Sequence, residues 1–171
     1  MSSTPTTDTT PAGDGLFSFP DPVNEISARI VAAGVVAMVV VTIALDLRWF
    51  VPVIAYGFIA RLLTGPSLSP LGQLVTRVIT PRLDIEPRLV PGPPKRFAQG
   101  IGVAFSVTAT VLVVLGQWDA ARIVLGMLAA AAFLESALGL CLGCKAFAVL
   151  MRLGVIPEEV CERCNNLSFT R

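Results

Sequence analysis

The chain contains no histidine, so it lacks the side chain that most often shuttles protons near neutral pH and most often ligates metals. Charge is scarce as well: Asp, Glu, Lys and Arg make up 15% of the 171 residues and sum to a net charge of +1. A balance so close to zero gives nucleic acid no electrostatic footing, and we expect no nucleic-acid partner. So few charges would not cover the surface of a water-soluble domain of this length. Residues 1–16 hold no Lys or Arg, whereas a secretory signal has a basic start; the first apolar run, from Ala28, is expected to serve as a retained anchor. No nucleotide-binding loop, catalytic triad or charged metal cluster occurs.

What the chain has in abundance is apolar. Hydrophobic residues make up 54% and mean hydropathy is +0.74, values of an integral membrane protein whose first partner is the lipid bilayer. Four apolar segments stand out, at about 28–45, 49–63, 97–115 and 123–144. At 1.5 Å per residue, roughly 17 to 25 helical residues cross a hydrocarbon core of about 30 Å. The second segment is short, and Arg61 near its end is expected to snorkel to the interface and let the helix extend. Asp46-Leu47-Arg48 and Gln117-Trp118-Asp119 leave room only for tight turns. The expected fold is all-α, with four transmembrane helices as two helical hairpins over residues 20–153. A disordered tail (1–19), rich in Ser, Thr, Pro and Asp, precedes it, and a cysteine-containing cytoplasmic tail (154–171) follows.

The hairpins carry a faint repeat. Pro20-Asp21-Pro22 precedes the first and Pro91-Gly92-Pro93 the second, and Ile26 and Ile30 align with Phe97 and Ile101 at the same offset. Between them, Ser69 can cap a helix with Pro70 in its first position. Leu71, Leu74, Val75, Val78 and Ile79 recur at helical spacing until Pro81, which predicts an amphipathic helix over 69–80. It lies on the cytoplasmic membrane surface or packs on the bundle ends. With four spans, Arg29, Arg61, Arg77, Arg82, Arg88, Lys95, Arg96, Lys145, Arg152, Arg163 and Arg171 share one side, against Arg48 and Arg122 on the other. That bias places both termini in the cytoplasm and Trp49 and Trp118 at the outer interface.

Chemistry concentrates in the four cysteines. Cys141 and Cys144 close the fourth segment, and Cys161 and Cys164 follow in the tail. On a continuous helix Cys141 and Cys144 share a face, but at the C-terminal end of a span, where the helix dipole disfavours a thiolate. Only a break at Gly143 would change that. Cys144, nearer water and Lys145, reads as the better nucleophile. Gly139 and Gly143, four apart, permit close helix packing, and with the small bundle they favour an oligomer or membrane complex. The spacing C-x2-C-x16-C-x2-C equally suits a zinc site of four thiolates, Cys141, Cys144, Cys161 and Cys164. Cytosolic thiols stay reduced, which fits zinc or a cycling dithiol.

Glu135 is the other outlier, an ionisable group well inside the fourth span. There it must be protonated, paired or turned into the bundle. It could relay protons to the thiols or serve a small transporter. On a regular helix, however, it points about 120° from Cys141 and about opposite Cys144. An interhelical hydrogen bond to Gln99, Ser106 or Thr108 is the simpler expectation.

The lead-in Arg96-Phe97-Ala98-Gln99-Gly100 and the closing Cys141-Leu142-Gly143-Cys144-Lys145 resemble a bacterial, notably actinobacterial, four-helix membrane family, domain of unknown function 4395. The resemblance spans about Pro20 to Leu153, and its most specific element is the CxGC pair. A more distant likeness links this ending to small membrane domains that accompany some rhodaneses. Family members are sometimes encoded beside thioredoxin-like or rhodanese-like proteins, so the resemblance implies such a partner and a role in membrane thiol or sulfur handling. It carries over to Cys141 and Cys144 alone. The resulting expectation is a multi-pass protein of the cytoplasmic membrane that exchanges disulfides or sulfane sulfur at the inner face through this pair, without a cofactor. Cys161 and Cys164 would exchange electrons with it. The first alternative is a non-enzymatic scaffold with a four-cysteine zinc site. The second is a transporter component using Glu135.

Overall fold

A computed structural model describes residues 21–83, 86 and 88–157. The two tails, with Cys161 and Cys164, lie outside the described residues. A short strand β1 (Val23–Asn24) leads into helix α1 (Glu25–Ala44), a 3-10 turn (Arg48–Phe50) and helix α2 (Val51–Thr64). A helical stretch follows, built of α3 (Pro70–Leu74), a π-turn (Val75–Ile79) and α4 (Thr80–Arg82). Strand β2 (Leu89–Val90), α5 (Gly92–Val114), α6 (Trp118–Leu138) and α7 (Leu142–Arg152) complete the chain.

Among the described residues α1, α5 and α6 are long and apolar enough to cross a membrane, which makes this a multi-pass membrane protein. Their outward faces carry Val40, Val111, Ile123, Met127 and Phe133, all exposed, as lipid-facing surfaces should be. Both α1 and α5 start before the apolar runs do. Asn24 caps α1 by accepting from the Ile26 N–H at 3.0 Å, and Pro93 and Pro94 sit in the first turn of α5, where a missing N–H costs nothing. The second expected span is only fourteen residues as a helix, about 21 Å, and does not count among the three.

The two hairpins interlock rather than stand side by side. Helix α1 packs chiefly on α6 and α2 chiefly on α5, α5 and α6 pack on each other, and α1 and α2 touch little. Val35, Val39, Ile54, Ala109, Ala121 and Leu125 fill the shared core. At Gly102 of α5 the Phe58 ring occupies the space a side chain would need. Equivalent points of the hairpins are tied together. Strands β1 and β2 pair antiparallel, with Val23 opposite Val90, and the Gly92 N–H donates to Asp21 Oδ1 at 3.1 Å across 71 positions. At the turn end, Trp118 Nε1 donates to Asp46 Oδ1 at 2.7 Å across 72 positions. Trp118 is therefore buried between the hairpin turns, with the Arg48 guanidinium over its ring, while Trp49 is exposed as an interfacial indole would be.

The segment between the hairpins departs from expectation at its end. Ser69 caps it as the sequence indicates, accepting from the Gly72 N–H at 3.2 Å. Pro81 does not stop it, because the helix widens into the π-turn just before the proline and runs on to Arg82. Widening moves the carbonyl that the pyrrolidine ring would strike. Leu71 and Val75 face the bundle and Leu74 is exposed.

Candidate functional site

The fourth apolar segment is broken where a continuous helix is expected. Gly139 adopts φ +66° and ends α6. Its N–H donates to the Glu135 carbonyl at 3.0 Å, the bond of a left-handed helix cap, and the Leu140 N–H donates to the Leu134 carbonyl at 3.1 Å. Arg29 of α1 satisfies the next carbonyls, donating from Nε and Nη2 to Ser136 and from Nη2 to Ala137. The span predicted to run to Cys144 thus ends at Leu138, and the break falls at Gly139, not Gly143.

Two residues later the chain enters α7 with Cys141 as its N-cap. The sulfur accepts from the Cys144 N–H at 3.3 Å, the role a serine or aspartate oxygen more often fills. Gly143 allows this helix start to press on α5, since a Cβ there would lie 2.6 Å from both Cα and Cβ of Ala98. The consequence is electrostatic. A pair at the end of one helix would face its negative pole; at the start of another it faces the positive pole.

The same break leaves the thiols within electrostatic reach of Glu135. Its partner is none of the expected Gln99, Ser106 or Thr108 but Lys95 of α5, whose Nζ lies 2.6 Å from Glu135 Oε1. Gln99 Oε1 accepts instead from Arg61 Nε at 3.1 Å, Ser106 donates back to the Gly102 carbonyl, and Thr108 is exposed. Arg61 does not snorkel outward. It is 5% exposed, donates through Nη1 to Ser69 Oγ at 3.1 Å and stacks over Phe58. The charges of Lys95 and Glu135 both act on both thiols, whereas the Lys145 side chain points to solvent.

The Cys141 thiol is held below its ordinary range, first by the hydrogen bond from the Cys144 thiol, with help from Lys95 and the Cys144 N–H. Cys144 moves the opposite way: its proton is held in the bond to Cys141, and burial adds to the effect. Yet Cys141 is the more buried of the two and Cys144 the more exposed. The arrangement therefore offers a thiol whose ionisation is favoured beneath a more accessible one. Among the described residues no group of three or more His, Cys, Asp or Glu is placed to hold a metal ion.

Lys95 and buried Arg61 are site residues that the sequence reading did not assign to the site: Lys95 entered it only for topology, and Arg61 for topology and as a snorkelling residue. A signal for Lys95 exists: Lys95, Gln99, Gly102 and Ser106 recur at helical spacing as a polar and small face of α5. The opposite face of α5 borders an open apolar cavity of about 670 Å³, lined by Leu62, Phe97, Gly100, Ile101, Ala104 and Phe147.

A protein-family comparison matches residues 23–152 to the family described as Domain of unknown function (DUF4395). The match begins with β1 and ends on the last residue of α7, so it takes in Cys141 and Cys144 and leaves out Cys161 and Cys164. No curated protein and no solved structure matches the chain.

Proposed function

The chain belongs to the DUF4395 family, and on that footing we propose that it exchanges disulfides or sulfane sulfur with thiol partners at the cytoplasmic face through Cys141 and Cys144. The observation that carries this reading is the helix break that makes Cys141 an N-cap within electrostatic reach of the Lys95–Glu135 pair. In the oxidised pair, an incoming thiolate attacks the more exposed Cys144, and Cys141 leaves as the thiolate its surroundings favour. A sulfur with a depressed pKa is the better leaving group. The mixed disulfide therefore forms on Cys144 and is resolved by Cys141. A thioredoxin-like or rhodanese-like protein is the partner class, and Cys161 and Cys164 are placed by sequence to pass electrons on.

The protein sits in the cytoplasmic membrane with both termini inside, as its basic residues favour. Helix α2 with its preceding 3-10 turn supplies the fourth crossing, about 27 Å together, and the stretch from Ser69 to Arg82 lies along the cytoplasmic surface with Leu68, Leu74 and Leu83 toward lipid.

Trapping tests the reaction. Cys141→Ser should accumulate a mixed disulfide with a small thiol on Cys144, and Cys144→Ser should not; equal trapping by both variants would sink the assignment. A zinc site of four cysteines is the competing reading, since the first pair now lies outside the three spans. One zinc per chain in protein purified without chelator or reductant, with four thiols released only on its removal, would replace the exchange reading by it.

A further inference from the structure

The buried charges beside the thiol pair do not balance by themselves. Arg61 and Lys95 are both buried cations, and Glu135 is the carboxylate whose charge reaches each of them. Arg61 spends Nε and Nη1 on neutral acceptors, Gln99 and Ser69. Of the two cations Lys95 is the one that acts on the thiols, and Gly143 between them packs on Ala98, three residues along α5 from Lys95. The Cys144 N–H and the start of α7 favour a negative charge on Cys141, which only the reduced pair can carry. The surroundings therefore favour the reduced pair. Of the other charges close by, Glu25 pairs with Arg88, and Arg29, which caps the α6 carbonyls, is only half-buried and shares its charge with solvent.

We propose that the Lys95–Glu135 ion pair sets the redox poise of the Cys141–Cys144 pair, Lys95 stabilising the reduced form and Glu135 opposing it. The site then works as an electron acceptor for a dithiol on the cytoplasmic side. This rests on the exchange reading above. In the step, the Cys141–Cys144 bond breaks and a disulfide forms in the donor, which gives up two electrons. Of the two protons released by the donor, one ends on Cys144 and one in solvent, and Cys141 is left as a thiolate. Lys95 and Glu135 are positioning residues; neither transfers electrons.

The test is equilibration of the full-length protein in mild detergent against defined ratios of reduced and oxidised dithiothreitol. After alkylation, peptide mass spectrometry counts the Cys141–Cys144 disulfide separately from Cys161 and Cys164. Lys95→Met should shift the equilibrium toward the disulfide by roughly tenfold, and Glu135→Gln should shift it toward the dithiol by a similar factor. Lys95→Arg, which keeps the charge, should stay near the parent value. A purely structural role would move both neutral variants the same way, and that result, or no movement in either, overturns the proposal. Should Lys95→Met fail to fold, Glu135→Gln alone decides, because only an opposing charge predicts a shift toward the dithiol. Failure to form any Cys141–Cys144 disulfide at any ratio would overturn the exchange reading itself, an outcome distinct from a disulfide that forms but ignores both charges.

Discussion

Cys141 is asked to do two things at once, cap a helix and hold a charge, and a thiolate does both better than a thiol. A neutral sulfur is a weak acceptor; an ionised one accepts from the Cys144 N–H and its thiol together. This predicts two well-separated thiol titrations in reduced protein carrying Cys161→Ser and Cys164→Ser. Thiolate absorbance from Cys141 should appear below the ordinary thiol range of about 8.5, persist above it and be lost as pH falls through the depressed value. Cys144 should titrate far above. Cys144→Ala should move the first titration upward, because it removes the hydrogen bond that contributes most to the depression. At this scale the cysteines were legible in the sequence, as was the oddity of Glu135. The partner of Glu135 was not, since Lys95 is 40 positions away and only packing of α5 on α6 brings it near.

The elements explain why the thiols are where they are. Hydropathy located the three long spans but not the end of α6, because Gly139 is flanked by apolar residues and hydropathy carries no information on φ. Gly139→Ala should cost about 1–2 kcal/mol for a left-handed residue with a Cβ, read as a lower unfolding midpoint in detergent. Gly143→Val tests the next contact. Its Cβ would meet the Ala98 backbone, which cannot yield as a side chain tip would. Helix α7 must then shift off α5, at about 1–3 kcal/mol, and the low Cys141 titration should rise as its N-cap geometry loosens. Pro81 makes the opposite point. It reads as a stop, yet the π-turn before it lets the helix continue, a local adjustment that residue identity does not announce.

For the molecule as a whole, the arrangement of the hairpins decides what can be near what. Helices adjacent in sequence, α1 and α2, barely meet, while each packs on a helix of the other hairpin. One end is locked by Trp118 on Asp46, so Trp118→Phe should lower stability by about 0.5–1.5 kcal/mol without touching the thiols at the far end. The orientation of the bundle is testable directly. A C-terminal fluorescent-protein fusion should fluoresce and a C-terminal alkaline phosphatase fusion should stay inactive, as a cytoplasmic terminus requires; the reverse pattern would place the thiol pair on the other face and end the reading of a cytoplasmic partner.

The sequence by itself determined that this is a helical multi-pass membrane protein with a cysteine pair at the close of its last apolar segment. Those properties follow from composition and short-range pattern, and no distant residue can change them. Only the tertiary structure decided that the pair opens a new helix rather than closing an old one, that Lys95 meets Glu135, and that Arg61 turns inward. Each depends on one backbone dihedral or on contacts between residues far apart in the chain. The electrostatic character of the thiols depends on the first two, and Arg61 bears on it only through Glu135.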